Sequence, residues 1–455
     1  MERKYYDLSA AQGILFYSQK FTLHKQVNNI CTSVLTDSDI DLNLLEQAIK
    51  IAYERNDSFR MRIVKVDKAM KQYFAEHEDP VIGHLDFRGK TKEEMERKLY
   101  KIAGKRVTIF GTQMSKVFIL QSFDGKKGIY FAVSHMIMDS WAITVFFKDI
   151  LSVYDSLVNK TDLPKPLYPY EELLIKELAY KKSKAHTLDR EFWESQYNID
   201  DEPIYTHING YSVLEEYRKK KKNPKLRFGP FFSLFTKANN IMLPLSKELV
   251  GEMEGYCSKN RITMQSMILY ALRSYFSKVN KREKDISLYT VIARRGTLKE
   301  KNTGGSRVHY MPFRTRFDEN MTCIKACEEI CAMQSKIYRH AEINPLEVSK
   351  VWAELFSVPQ LATYHDGILT FQPVKLSLSQ DMKIETKWYG NGTISTPIYI
   401  TVMDGDGGGS LKVYYEYQTH VISFDTIKRF HFYMKKVLKA AIDDEELTIG
   451  QTLDL

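Results

Sequence analysis

The hydrophobic positions of this chain follow two alternating periods. "DLNLLEQAIKIAYERND" sets Leu42, Leu45, Ile49 and Ala52 at helical spacing, with Asp41 as the predicted N-cap. "FRMRIVKV" then alternates as a half-buried strand does. "TKEEMERKLYKIAGKRV" predicts an amphipathic helix opened by Thr91 and two glutamates in its first turn. "KVFILQSFDGKKGIYFAVSHM" predicts two strands joined by a turn at Asp124-Gly125. "SWAITVFFKDILSVYDSLV" is a helix capped by Asp139 or Ser140. A lysine-rich helical stretch follows, without a strong apolar stripe near residues 180–188, and the domain boundary is expected there.

The second half repeats the mixture. "TMQSMILYALRSYFSKV" is an apolar helix capped at Thr263, and "DISLYTVIA" is a buried strand. "NMTCIKACEEICAMQSKIYRHA" is a long helix, and "TPIYITVMDGDGGGSLKVYYEYQ" a hairpin around a glycine-rich turn. "SFDTIKRFHFYMKKVLKAAI" is a final helix capped by Ser423. Hairpin-like strand pairs beside long helices give an α/β (α+β) class. The similar make-up of the halves allows two domains of one architecture.

Composition narrows the picture. At 455 residues the chain is too long for one ordinary core, and two domains of about 200 residues each are expected. The 44% hydrophobic and 27% charged content is that of a globular protein. The start, "MERKYYDLSAAQGILFY", lacks the apolar run of a signal peptide, and no apolar stretch is long enough to span a membrane. Five cysteines make no disulfide framework, so a cytoplasmic location is expected and the sequons at Asn159, Asn320 and Asn391 carry no meaning.

The net charge of +9 is concentrated in "YRKKKKNPKLRF", residues 217–228. Lys219, Lys220, Lys221 and Lys222 there fit either a solvated loop or a landing site for an acidic carrier protein or the phosphates of coenzyme A. Nucleic acid is not expected, because no basic stripe or recognition motif continues the patch.

The candidate chemistry centres on "YFAVSHMIMDSWAITVFF", residues 130–147. His135 ends an apolar strand and Asp139 opens an apolar helix. The pair fits a capped core strand, or an acid–base site presented by a turn, with the aspartate paired to an arginine that holds the turn still. Cys323, Cys327 and Cys331 recur every four residues on one helix; zinc sites use turn-borne pairs, so a small-residue core stripe is the reading and no metal is expected. "DGDGGGS", residues 404–410, lacks the ligand spacing of a calcium loop.

Read together with its neighbours, the His135 segment resembles the HHxxxDG motif of nonribosomal peptide synthetase condensation domains, within the chloramphenicol acetyltransferase-like superfamily. Here it stands as Ser134-His135-Met136-Ile137-Met138-Asp139-Ser140, followed by Trp141. Further segments match in order. "LSAAQGILFY" (8–17) resembles the family's opening motif, and "ERNDSFRMR" (54–62) its arginine-bearing stretch, with Arg55 and Arg60 in place. "DREFWESQY" (189–197) is similar to the lead into the second lobe, and "GSRVHYMPFR" (305–314) to Gly-x-Phe-Val-Asn-Thr-x-x-x-Arg, keeping Gly305, Val308 and Arg314. "HAEINPLEV" (340–348) resembles His-x-x-x-x-Pro-Phe, and "SLKVYYEYQTHVISFDTIKRFHFYMKKVLKAAIDD" (410–444) looks like the family's last strand and helix.

The resemblance implies two chloramphenicol acetyltransferase-like lobes, residues 1–180 and 181–455, in a V-shaped pseudo-dimer with a central tunnel. It implies an acyltransferase joining a phosphopantetheine-bound acyl or aminoacyl thioester to an amine or hydroxyl, as in nonribosomal peptide biosynthesis. His135 becomes the general base or positioning group. Asp139 becomes structural, pairing with an arginine of "VIARRG", and spacing to Gly305 favours Arg295 over Arg294. Ser134 and Ser140 replace the motif's first histidine and its glycine, and Ser140 is expected to narrow the site or alter an oxyanion contact. Trp141, His309 and Tyr310 are expected along the tunnel, although His309 fits a partly exposed loop histidine equally well. No bound cofactor is implied. The condensation-like unit takes up the chain, so a free-standing monomer served by an acyl or peptidyl carrier protein in trans, and by a small amine or alcohol, is expected. Two other readings stay open: a coenzyme A-dependent O- or N-acyltransferase of the superfamily, and a catalytically degenerate carrier-binding scaffold.

Overall fold

A computed structural model describes residues 3–230, 235–359, 362–372, 383–405 and 407–455. The chain divides into two compact units. The first takes Met1–Ser183 together with two later segments, Ala293–Val308 and Val374–Thr393. The second takes Lys184–Ile292, His309–Pro373 and Ile394–Leu455.

The first unit is built on a five-stranded sheet. Its order is Ile384–Tyr389, Asn29–Thr36, Lys127–Ser134, Ser115–Gln121 and Ile82–Asp86. All neighbours are antiparallel except the last pair. Strand Lys127–Ser134 is central and buried over most of its length, which is why it reads as a continuous apolar run. One face packs helices Leu42–Glu54 and Ser140–Asn159 through Phe59, Phe131 and Phe146, and the other packs helix Lys92–Ala103 through Leu99 and Tyr130. The caps are those the sequence predicts: Asp41 accepts from the Asn43 and Leu44 amides, Thr91 and Glu94 form a capping box, and Asp139, not Ser140, caps Ser140–Asn159.

The second unit carries a six-stranded sheet of order His309–Arg316, Asp285–Ile292, Gly367–Gln372, Ile398–Asp404, Leu411–Gln418 and Ala238–Leu245. The two pairs involving Gly367–Gln372 are parallel and the others antiparallel. Helices Lys247–Asn260, Met264–Val279, Cys323–Arg339 and Phe424–Asp443 contribute to one apolar core with one face of this sheet. Ser423 and Thr263 cap their helices as expected. In the hairpin Ile398–Asp404 and Leu411–Gln418, Asp406 of the glycine-rich turn lies outside the described residues.

Two elements differ from the sequence reading. The stretch 170–197 is not one helix but two, Tyr170–Tyr180 and Lys184–Ser195, broken where the apolar stripe lapses. The lysine-rich segment is not a loop. Helix Ser212–Lys221 runs into it and ends on Lys222 in the left-handed conformation, φ 52°. Arg218 and Lys219–Lys221 fill the last turn, where cations meet the unpaired carbonyl end of the helix dipole. Cys323 and Cys327 are buried in the core, burial holding the Cys323 thiol at about 11, and the described residues contain no metal-binding cluster.

Candidate active site

The turn after strand Lys127–Ser134 is built by the first unit's own residues. The Ser134 amide donates to the Met114 carbonyl at 2.8 Å and the His135 amide to the Asn28 carbonyl at 2.7 Å, which carries the backbone one residue past the strand. The Ser134 hydroxyl accepts from the Met136 amide at 3.3 Å. This serine therefore closes the turn beneath His135. Gln12, fully buried, donates to the Met136 carbonyl at 3.1 Å and exchanges bonds with Gln72. The "LSAAQ" segment thus holds the same turn from the first helix, Ala10–Phe21.

His135 is half-buried, and its Nδ1 lies 3.2 Å from the Ser306 hydroxyl. Burial lowers its pKa below the ordinary histidine value of about 6.5, while the Asp139 carboxylate pulls the other way. A neutral imidazole at pH 7 is the result, the form a general base needs.

Asp139 is completely buried and every direction of its carboxylate is used. Oδ1 accepts from the Ala142 amide at 2.8 Å, Oδ2 from the Arg307 amide at 2.9 Å, and both lie 3.2 Å from Arg295 Nη2. The arginine that reaches it is Arg295. The same guanidinium donates to the carbonyls of Glu300, Thr303, Gly304 and Gly305, so one cation fastens loop 300–305 to the helix cap. Arg294 turns away, at φ 51°, and pairs with buried Glu177 at 3.0 Å.

The loop approaches so closely that side chains are excluded. A Cβ on Gly304 would sit 2.2 Å from the Ser58 hydroxyl, and one on Gly305, at φ 82°, would sit 2.0 Å from the Tyr170 ring. Gly305 bridges to Met138 in parallel register, beside the histidine turn. Tyr170 is itself fixed by Asp57, which accepts from the Tyr170 and Glu171 amides at 2.9 Å each and so caps a helix whose N-cap, Pro169, makes no side-chain cap.

Ser140 takes the first helical position, and its φ is not positive. A serine adopts that backbone without strain, so replacing the motif's glycine carries no torsional cost here. The Trp141 indole donates to the Lys301 carbonyl at 3.1 Å. His309 and Tyr310 belong to the second unit, where they open strand His309–Arg316. His309 is buried, not an exposed loop residue, with Nδ1 2.9 Å from the Ala341 carbonyl. Lys219–Lys222 are exposed in the second unit. The structure therefore gathers Ser134, His135, Asp139, Ser140, Trp141 and Arg295 in one unit, and adds Ser306, Gln12, Asn28 and the Arg307 amide, which sequence reasoning did not single out. Ser306 lies inside a quoted motif, one residue past Gly305.

Two other quoted segments meet in the second unit. His340 pairs with Asp189 at 2.9 Å and stacks on Phe192, while the Trp193 indole donates to the His340 carbonyl at 2.8 Å. Arg314 binds Asp285 across the strand pair.

The model of the condensation domain family matches residues 2–453. The chain belongs to that family. One of the plipastatin synthase proteins of Bacillus subtilis (strain 168) is 21% identical over 97% of this condensation domain, and surfactin synthase subunit 1 of the same organism 22% over 99%. The chain spans 16% and 12% of those two relatives' lengths. Among solved structures, the first condensation domain of the CDA synthetase superposes with a TM-score of 0.82 at 13% identity, covering 98% of both chains. A variant of the starter condensation domain of rhizomide synthetase RzmA, in complex with C8-CoA, gives 0.82 at 15% identity, over 98% of this chain and 97% of that one. The fold is therefore the chloramphenicol acetyltransferase-like fold of condensation domains. As a class these domains are acyltransferases of natural-product biosynthesis that act on thioester-bound substrates. No helix among the described residues is long and apolar enough to cross a membrane.

Proposed function

We propose that this condensation domain transfers an acyl or aminoacyl group from a phosphopantetheine thioester to an amine or hydroxyl, with His135 as its catalytic residue. The observation that carries the reading is a half-buried imidazole, kept neutral by burial, on a turn braced by the Asp139–Arg295 pair. A thioester needs no further activation. The nucleophile must be aligned, lose its proton as it attacks, and expel the thiolate. In this reading the imidazole nitrogen not facing Ser306 receives that proton. Asp139 positions the turn and relays no proton, since its oxygens are spent on Arg295 and two amides. The commitment of these buried groups to one geometry favours a working site over a degenerate scaffold.

Delivery by an acidic carrier protein suits the exposed lysines 219–222 on their helix end, and coenzyme A is the alternative donor. The test is transfer from carrier-bound or coenzyme A thioesters to amine and alcohol panels. His135→Ala should lower the rate by about 10²-fold or more, with folding unchanged. An undiminished rate overturns the role given to His135.

A further inference from the structure

The six-stranded sheet of the second unit has two unlike faces. Ile400, Val402, Val413 and Tyr415 point into the helix-covered core, where the Tyr415 ring meets Phe430 and His431 of helix Phe424–Asp443. The alternate positions Tyr399, Thr401, Lys412 and Glu416 face the other way and are half-buried. On that face Glu416 stands opposite Tyr399 on one side and Asn240 on the other.

The only hydrogen bond the Glu416 carboxylate receives among the described residues comes from Asn240 Nδ2, at 3.1 Å, and none of their cations pairs with it. A carboxylate accepts about four hydrogen bonds. Burial pushes its pKa above the ordinary glutamate value, and the Asn240 bond alone works against that. This half-buried carboxylate takes one hydrogen bond and no cation from the described residues, which leaves acceptor capacity for a cation from outside. The surroundings suit an organic cation. Tyr399 is locked by a 2.7 Å bond between its hydroxyl and Thr370, and its ring meets Tyr310 edge-on at 6.3 Å. Such ring faces attract ammonium groups.

We propose that Glu416, with Asn240, Tyr399 and Tyr310, binds the ammonium group of a small organic cation, a primary alkylammonium being the simplest of the class.

The experiment titrates the full chain, with glutamate side-chain carboxyls labelled with carbon-13, using hexylammonium chloride and, separately, 1-hexanol. The Glu416 resonance is assigned by its loss in Glu416→Gln. Hexylammonium should shift it saturably and lower its apparent pKa, binding roughly tenfold or more tighter than the alcohol. Glu416→Gln should erase that preference, and Asn240→Asp, which adds charge beside the carboxylate, should increase it. No saturable shift, equal binding of the two probes, or an unchanged preference in both variants overturns the proposal. The binding is read without turnover and should persist in His135→Ala. Acyl transfer without amine preference removes this site and leaves the proposed function standing; amine preference without acyl transfer does the reverse.

Discussion

Asp139 is where single substitutions should speak most clearly. Asp139→Ala leaves Arg295 charged and buried among carbonyls, without its carboxylate, and should cost about 3–5 kcal/mol of stability in urea unfolding. Asp139→Asn keeps an oxygen for the Ala142 amide and should cost less, because only the ionic part is lost. In the proposed reaction His135 sets the pH dependence of transfer. Its folded pKa lies below about 6.5, so the base form persists under mild acid, and the acid limb of the rate should fall below that value. Ser306→Ala removes the Nδ1 contact and should move that limb while leaving the Asp139–Arg295 pair intact. The His–Asp–Arg set was legible through the resemblance to the condensation motif; on the residues alone a capped core strand stayed open for His135 and Asp139. Ser306 was not legible. A serine beside a glycine has no chemistry of its own until the loop brings it 3.2 Å from an imidazole.

At the scale of elements, helix Tyr170–Tyr180 depends on a cap borrowed from a distant turn. Asp57→Ala should remove the side-chain acceptors of its first two amides and cost about 1–2 kcal/mol, seen as a lower melting temperature, with the Tyr170–Gly305 contact loosened as well. Charge reversal at Lys219–Lys222 should raise the apparent KM for an acidic carrier at low salt and leave that for coenzyme A donors less affected, in a kinetic salt series. The amphipathic helices and close hairpins could be read from their periods and caps. Strand Ile384–Tyr389 could not. It is half-exposed, its partner Asn29–Thr36 lies far away in sequence, and no local turn joins them. The lysine run misled for the opposite reason: a block of like charge looks solvated and irregular, yet a helix C-terminus stabilises it.

Across the whole molecule, two buried histidines contribute a loss of stability in acid. Burial holds His365 down to about 3 and His431 to about 4. Between about pH 6.5 and 4 the unfolded chain binds protons that the folded chain refuses, so stability should fall as pH falls through that window. Unfolding followed at pH 7 and pH 5 should show this, with a shallower slope in His365→Phe, whose ring can still stack on Tyr289. Length and the repeated mixture of elements lead to an expectation of two continuous domains, 1–180 and 181–455. That the first unit would reclaim Ala293–Val308 and Val374–Thr393 was not legible, because nothing local in those segments marks which body they join. This interleaving bears on how the protein is born. When the ribosome has made the first 183 residues, Asp139 has no arginine to face, His135 has no serine, and the sheet lacks its edge strand. The turn that carries His135 can be completed only after Val308 has emerged, so the nascent first unit should stay protease-sensitive until then.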